Sequence, residues 1–196
     1  MIRRAYLFRN FGHDDKTKRI AIRGTKYRIS DFAASVLMAQ LTRFDELCAK
    51  REKHAAYLRE QLKNTPGMIP QEHYPESTRQ NYYCFGLRYE AEHFSGVPRA
   101  KVIEALDAEG ILVSAIYPPL NKEPFIEHNL NSRGFRNVFS TERLEKYRRQ
   151  NYLPQNDKLC ATSLYLPQST LIGEKSDVDV VLEAFNKVQK NASMLA

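Results

Sequence analysis

The stretch GTKYRISDFAASVLMAQL, Gly24 to Leu41, decides how the chain is organised. A glycine-led turn carries Lys26, Tyr27 and Arg28 directly into Ser30 and Asp31, and then into apolar residues at helical spacing. Ser30 is a good N-cap, because its hydroxyl can accept an N–H that the first helical turn leaves without a partner. Asp31 suits the positive end of the helix dipole. Apolar residues recur from Phe32 and Val36 through Leu41, Leu47, Ala55 and Leu58 to Leu62, so the spacing predicts one helix over 30–64, ended by Pro66-Gly67. Its first half, DFAASVLMAQL, has almost no charge. That half is expected to lie against another domain or subunit, and to be partly exposed in this chain alone. The second half is charged outside a narrow stripe and reads as a surface helix, with His54 on its solvated side.

The formal net charge is +7, and it is concentrated. Residues 1–28 hold nine Lys and Arg against Asp14 and Asp15, so the remaining residues balance. A positive leading segment on a neutral body implies an anionic partner there: a phosphate group, a nucleic acid or an acidic face of another subunit, or else a solubilising arm. No apolar run approaches the roughly 20 residues of a membrane span, and MIRRAYLFRN is not followed by the apolar stretch of a signal peptide. Three cysteines, Cys48, Cys84 and Cys160, are widely spaced and fit unpaired thiols in a reducing, cytoplasmic setting. With no CxxC or HxxxH spacing, a metal site is not expected.

Within 1–29, RRAYLFRNFG reads as a helix stopped at Gly12, and the following residues as a loop with a short extended piece. Downstream, QNYYCFGLRYE (80–90) reads as an aromatic strand whose Tyr82, Tyr83 and Phe85 pack in a sheet. Val97-Pro98-Arg99 opens a helix that Gly110 stops. ILVSAIY (111–117) reads as a buried strand, PPLNKEPF as a loop and 126–140 as irregular. A helix is expected over 141–152 and a strand over 162–167. A last helix starts at a capping box of Ser176 and Asp179 and faces inward with Val178, Val181, Leu182, Phe185 and Val188. The pattern predicts an α+β fold: a long helix over 30–64 leading into a small, mainly antiparallel sheet of about three strands covered on one face, within 65–196.

No GxSxG, P-loop, GxGxxG or HExxH motif occurs, and no complete active site can be assembled from these residues alone. Several segments in order nonetheless resemble one family. GTKYRISDFAASVLMAQLTRFDEL, RRAYLFRNFGHDD, GVPRAKVIEALDAEGILVSAIYPPLNKEPF and LYLPQSTLIGEKSDVDVVLEAFNKV resemble the second half of the DegT/StrS sugar aminotransferases, nearest to members acting on keto-sugars or keto-cyclitols.

That resemblance implies the small domain and interdomain helix of a fold-type I pyridoxal 5'-phosphate enzyme. The parent reaction moves an amino group from glutamate or glutamine to a keto-sugar or keto-cyclitol. It places the Schiff-base lysine, the aspartate facing the pyridinium nitrogen and the ring-stacking aromatic residue before Met1, so no catalytic residue is expected in this chain and it should not transaminate alone. In the family the GTKYR turn crosses a homodimer interface and an asparagine there meets the cofactor phosphate. Lys26 stands at that position, with Arg28 adding positive charge, and both are implied as cofactor-binding. Lysine meets phosphate as a point charge, without the geometry of an amide. Tyr27, Tyr117 and Asn121 are implied in the substrate pocket, Asn121 standing where the family often has histidine. The alternatives are a non-catalytic module that binds a partner protein and, less in keeping with a strand that carries only Arg88 among its aromatics, a nucleic-acid binder.

Overall fold

The structure, a computed structural model, describes residues 1–195. The chain forms two compact units, one covering Met1–Leu47 and the other beginning at Cys48.

In the first unit, helix α1 (Ile2–Arg9) ends at Asn10, and the chain reverses through Phe11 and Gly12, both at positive φ. Strands β1 (His13–Asp14) and β2 (Arg19–Ile20) form a small antiparallel hairpin. Residues 24–27 then return against the end of α1. Thr25 N–H donates to the Phe8 carbonyl at 2.8 Å, Phe11 N–H to Thr25 at 3.1 Å and Tyr27 N–H to Arg9 at 3.0 Å, and Asn10 faces Lys26 in an antiparallel bridge. Helix α2 (Asp31–Leu41) begins where expected: Ser30 Oγ accepts the Ala33 N–H at 3.2 Å.

The single helix expected over 30–64 is interrupted at Thr42 and Arg43, and α3 (Phe44–Gln61) begins after them. The cause is local. Thr42 Oγ1 donates to the Ala39 carbonyl at 2.8 Å, and Arg43 N–H bonds three residues back to Gln40 rather than four.

The second unit is built on a four-stranded antiparallel sheet in the order β3-β4-β6-β5. Strand β3 (Met68–Pro70) precedes β4 (Cys84–Tyr89). The strand foreseen over 80–90 starts only at Cys84 because Tyr82 takes a left-handed φ of 47°. Helix α4 (Arg99–Ala108) follows Pro98 and stops at Gly110, which is also left-handed. Of the strand expected over 111–117, only β5 (Ser114–Ala115) joins the ladder; Ile111 and Val113 are buried without pairing in it.

Residues 126–140, read as irregular, are helical, and the helix expected over 141–152 is present: α5 (Pro124–Asn131), α6 (Arg133–Val138), α7 (Thr141–Gln150) and α8 (Pro154–Thr162) lie between β5 and β6 (Ser163–Pro167). Each carries a start signal. Proline opens α5 and α8, and Ser132 and Ser140 cap α6 and α7 by accepting N–H groups of Phe135 and Arg143, each at 3.3 Å. Helices α5, α6 and α8 are too short to show a strong apolar period.

Helix α9 (Lys175–Lys190) buries the five residues expected of it, but its capping box is Glu174 with Asp177, not Ser176 with Asp179. Asp179 instead accepts hydrogen bonds from Tyr57 and Lys175.

The core follows from strand alternation. Phe85, Leu87 and Tyr89 of β4 and Leu164 and Leu166 of β6 point to one face, in the register Phe85–Leu166 and Leu87–Leu164. Helix α3 contributes Ala55 and Leu58 to the same core, α4 contributes Val102 and Leu106, and α9 contributes Phe185 and its neighbours. His54 is not solvated as expected. It is 5% exposed, and its Nδ1–H donates to the Leu171 carbonyl at 3.0 Å. Arg51, also buried, donates to Asn81 Oδ1 at 2.9 Å, to Gln168 Oε1 at 3.1 Å and to Cys48 Sγ at 3.0 Å. These bonds tie α3 to the loop before β4 and to the turn after β6.

Candidate functional site

The first unit positions the basic turn through two glycines. A β-carbon on Gly24 would lie 2.3 Å from the Gly12 nitrogen and 2.6 Å from the Phe8 carbonyl oxygen. A β-carbon on Gly12, itself at φ +76°, would overlap the Ile22 carbonyl oxygen. The RNFG and GTKYR segments thus interlock backbone to backbone, which no residue with a side chain permits.

The interlock leaves Lys26, Tyr27 and Arg28 exposed, in sequence just before the capped start of α2. The Tyr27 ring lies 5.9 Å from that of Phe8. Neither Lys26 nor Arg28 has a carboxylate partner among the described residues. Other cations of the segment are engaged: Arg3 pairs with Asp14 at 2.8 Å, and the Arg9 guanidinium lies over the Tyr6 ring at 4.6 Å.

The two acidic residues are held in place as well. The Lys16 N–H, and then the Arg3 guanidinium, hold the Asp14 carboxyl below its ordinary range. Tyr6 and His13 do the same for Asp15, and the Asp15 carboxylate pushes the Tyr6 phenol up.

As donors for a phosphate the pair is chemically apt. Lys26 offers a compact ammonium and Arg28 a planar fork, and the first turn of α2 adds dipole potential, opposed in part by the Asp31 carboxylate. The residues therefore fit contact with the phosphate of a pyridoxal cofactor.

In the second unit Tyr117 lines a cavity of about 600 Å³ on the sheet face opposite the core. Gly86 forms part of that face, and Tyr83, Cys84, Leu159 and Tyr165 also line it. Sequence reasoning missed most of these. Tyr83 was expected to pack in the sheet, yet it is 77% exposed, because it precedes the strand and escapes the alternation that buries Phe85. The signal available was the alternation itself: Cys84, Gly86 and Arg88 fall opposite Phe85, Leu87 and Tyr89.

Asn121 is turned inward. Its Oδ1 accepts from Asn156 at 3.2 Å, its Nδ2 donates to the Asn151 carbonyl at 3.4 Å, and Asn151 Nδ2 returns a bond to the Asn121 carbonyl at 2.9 Å. This network fixes the loop after Tyr117 to the α7–α8 junction. Glu90, Glu92 and His93 bring ligand atoms within 4.8 Å of one another, but Glu90 already pairs with Arg88 and the other two are exposed, so the group makes no case for a metal. Among the described residues no helix is long and apolar enough to cross a membrane.

Residues 1–185 match the DegT/DnrJ/EryC1/StrS aminotransferase family, and the chain belongs to it. It is 31% identical over 186 residues to the L-glutamine:2-deoxy-scyllo-inosose aminotransferase of Streptomyces kanamyceticus, covering 94% of this chain and 43% of the relative. It is 29% identical over 172 residues to the L-glutamine:scyllo-inosose aminotransferase of Streptomyces griseus, covering 86% of this chain and 39% of that one. The chain thus spans less than half the length of these relatives. The fold is shared with solved structures of low identity. For DesV of S. venezuelae, in complex with a ketimine intermediate, the TM-score is 0.71 at 22% identity, covering 96% of this chain and 44% of that one. For PseC of Helicobacter pylori, an aminotransferase involved in the biosynthesis of pseudoaminic acid, it is 0.70 at 16% identity, covering 96% and 46%.

Proposed function

We propose that this chain forms the phosphate-contacting and substrate-lining part of a pyridoxal-phosphate-dependent aminotransferase that moves an amino group from glutamine or glutamate to a keto-cyclitol or keto-sugar. The observation that carries this reading is the Gly12–Gly24 interlock, which fixes the turn bearing Lys26 and Arg28 as an exposed cationic edge. The substrate class is supported by the relatives in S. kanamyceticus and S. griseus, which are named for inososes.

Under this reading a large domain outside residues 1–196 supplies the Schiff-base lysine, and Lys26 meets the cofactor phosphate of a neighbouring subunit in a homodimer. When bound, the cofactor supplies the electron sink for exchange of the amino group. Lys26 and Arg28 neutralise its phosphate and hold it in place. Tyr117 offers a wall for the substrate, Tyr27 an aromatic contact beside Lys26, and Asn121 positions the Tyr117 loop through Asn151 and Asn156. The 196 residues alone do not turn over. The three free thiols suit a cytoplasmic setting.

Titration of the chain with pyridoxal phosphate, followed by absorbance and borohydride treatment, tests the phosphate contact. Saturable binding that weakens severalfold in Lys26→Ala, with no borohydride-fixed adduct, supports it. A stoichiometric fixed adduct on Lys26 would show that this lysine does covalent chemistry instead. Co-production with a chain covering the remaining part of the S. kanamyceticus relative tests the activity. Glutamine-dependent amination of 2-deoxy-scyllo-inosose that requires this chain is the supporting outcome.

A second reading, a non-catalytic module that binds a partner protein, is favoured by α2, which buries none of its residues and exposes Phe32, Val36, Leu37, Met38 and Leu41. Stable capture of a partner without any amination would select it.

A further inference from the structure

The helices between β5 and β6 hold a second cavity, of about 400 Å³, that the reading above does not use. Its deepest-set residues are Leu130 of α5 and Leu144 of α7, both buried. Phe125, Phe135, Phe139 and Tyr147 line it with partly exposed rings, the Phe135 and Phe139 centroids 5.5 Å apart. Two polar side chains, Asn129 and Arg143, line the same space. Neither the Asn129 carboxamide nor the Arg143 guanidinium has a hydrogen-bond or ion-pair partner among the described residues.

The local charge is unbalanced in the same direction. Residues 124–152 hold six Lys and Arg against three Glu. Two of those three, Glu127 and Glu145, are both engaged by Arg148, each at 2.7 Å. Arg143 is left facing an aromatic cavity without a counter-charge.

We propose that this cavity binds a small carboxylate carried on an aromatic or alicyclic body. Apolar lining with a few convergent polar groups, at this volume, is the ordinary form of a small-molecule site. The rings gain by covering an apolar body, and the planar guanidinium matches a carboxylate in two parallel hydrogen bonds. The Asn129 amide adds a neutral donor. A neutral ligand leaves Arg143 unanswered, and a bare inorganic anion leaves the rings uncovered. The inference is independent of the aminotransferase reading, because it rests only on α5, α6 and α7.

The test is a titration of the isotope-labelled full chain with 2-naphthoate and, separately, with its uncharged analogue 2-naphthamide, read by NMR. Saturable one-to-one shifts at Phe125, Phe135, Phe139 and Tyr147 are expected. Naphthoate should bind about tenfold more tightly than the amide, the worth of one charge-assisted hydrogen bond. Arg143→Ala should abolish that preference while leaving the amide's affinity and the unbound spectrum unchanged, since Arg143 is exposed near the start of α7. Asn129→Ala should weaken both probes severalfold. Equal affinity for the two probes, a preference that survives in Arg143→Ala, or shifts centred on the apolar residues of α2 would each overturn the proposal. So would a cavity already closed by self-association, seen as protein-concentration-dependent shifts at the four rings before any probe is added.

Discussion

Gly24 lies so close to Gly12 that a β-carbon on Gly24 would stand 2.3 Å from the Gly12 nitrogen. Backbone cannot move aside as a flexible side-chain end can. Gly24→Ala and Gly12→Ala are therefore expected to cost about 1–3 kcal/mol each in the first unit. Gly110→Ala is the control. Like Gly12 it has a positive φ, but its β-carbon would meet nothing within 4 Å, so only the conformational cost of about 1 kcal/mol remains. Amide hydrogen exchange over residues 7–27 reads the difference. Unchanged protection in Gly24→Ala would mean that the two segments are not interlocked in solution.

The first unit is expected to loosen in acid. Asp14 and Asp15 are both held below the ordinary carboxylate range, Asp14 chiefly by the Lys16 N–H and Asp15 chiefly by the Tyr6 hydroxyl. Groups depressed in the folded state stabilise it above the unfolded carboxylate value of about 4 and lose that contribution as pH falls through their folded values. Exchange protection of the hairpin amides should fall below about pH 4, and Asp14→Asn should flatten that dependence. A flat profile in the unaltered chain would remove the carboxylates from the argument.

His54 is buried and donates to the Leu171 carbonyl. His54→Ala leaves that carbonyl without its donor and opens a void beside α3. The expected loss is about 2–4 kcal/mol, the sum of an unmade buried hydrogen bond and a cavity, measured as a shift in the denaturant midpoint at constant slope. A loss within about 0.5 kcal/mol would mean that the ring is solvated, as the sequence suggests.

Tyr117 is 71% exposed at the edge of the sheet-face cavity. Tyr117→Ala should change stability by no more than about 0.5 kcal/mol. Under the proposed function, and in the presence of the chain that supplies the large domain, it should raise KM for the keto-cyclitol more than it lowers kcat, because it removes a binding wall and no reacting group. Equal loss in kcat and kcat/KM would give Tyr117 a role in the transition state.

The exposed residues of α2 should drive association. Sedimentation of the isolated chain is expected to show concentration-dependent oligomers, and Leu37→Glu to shift them toward monomer without altering the second unit's unfolding. A monomer at high concentration in the unaltered chain would argue that this face needs no cover.

What could be read in advance depended on how local its cause was. The Ser30 cap and the inward face of α9 follow from neighbouring residues, and both are seen. Thr42 was less legible, because a hydroxyl that bonds back to Ala39 is compatible with the same apolar spacing as an unbroken helix. The capping box moved by two residues because Ser176 and Glu174 are both plausible caps, and tertiary contacts of Asp179 with Tyr57 decide between them. Helix α7 was legible over 141–152, whereas α5, α6 and α8 are each nine residues or fewer, too short for periodicity, although Pro124, Ser132 and Pro154 marked their starts. The basic turn was visible as charge. The tyrosine-lined sheet face was not, since it needs β6, β5 and the loop before β4 brought together from distant parts of the chain.

The sheet order has a consequence for biosynthesis. Strand β6 sits between β4 and β5, and residue 84 pairs with residue 167. On the ribosome, β4 therefore emerges long before its central neighbour, and β5 has no partner in this sheet until Ser163–Pro167 leaves the exit tunnel. A nascent chain arrested within α5–α8 would carry two open strand edges and the apolar side of Phe85 and Leu87 without Leu164 and Leu166. High contact order of this kind makes the emergence of β6 the step at which the second unit either closes or meets a chaperone.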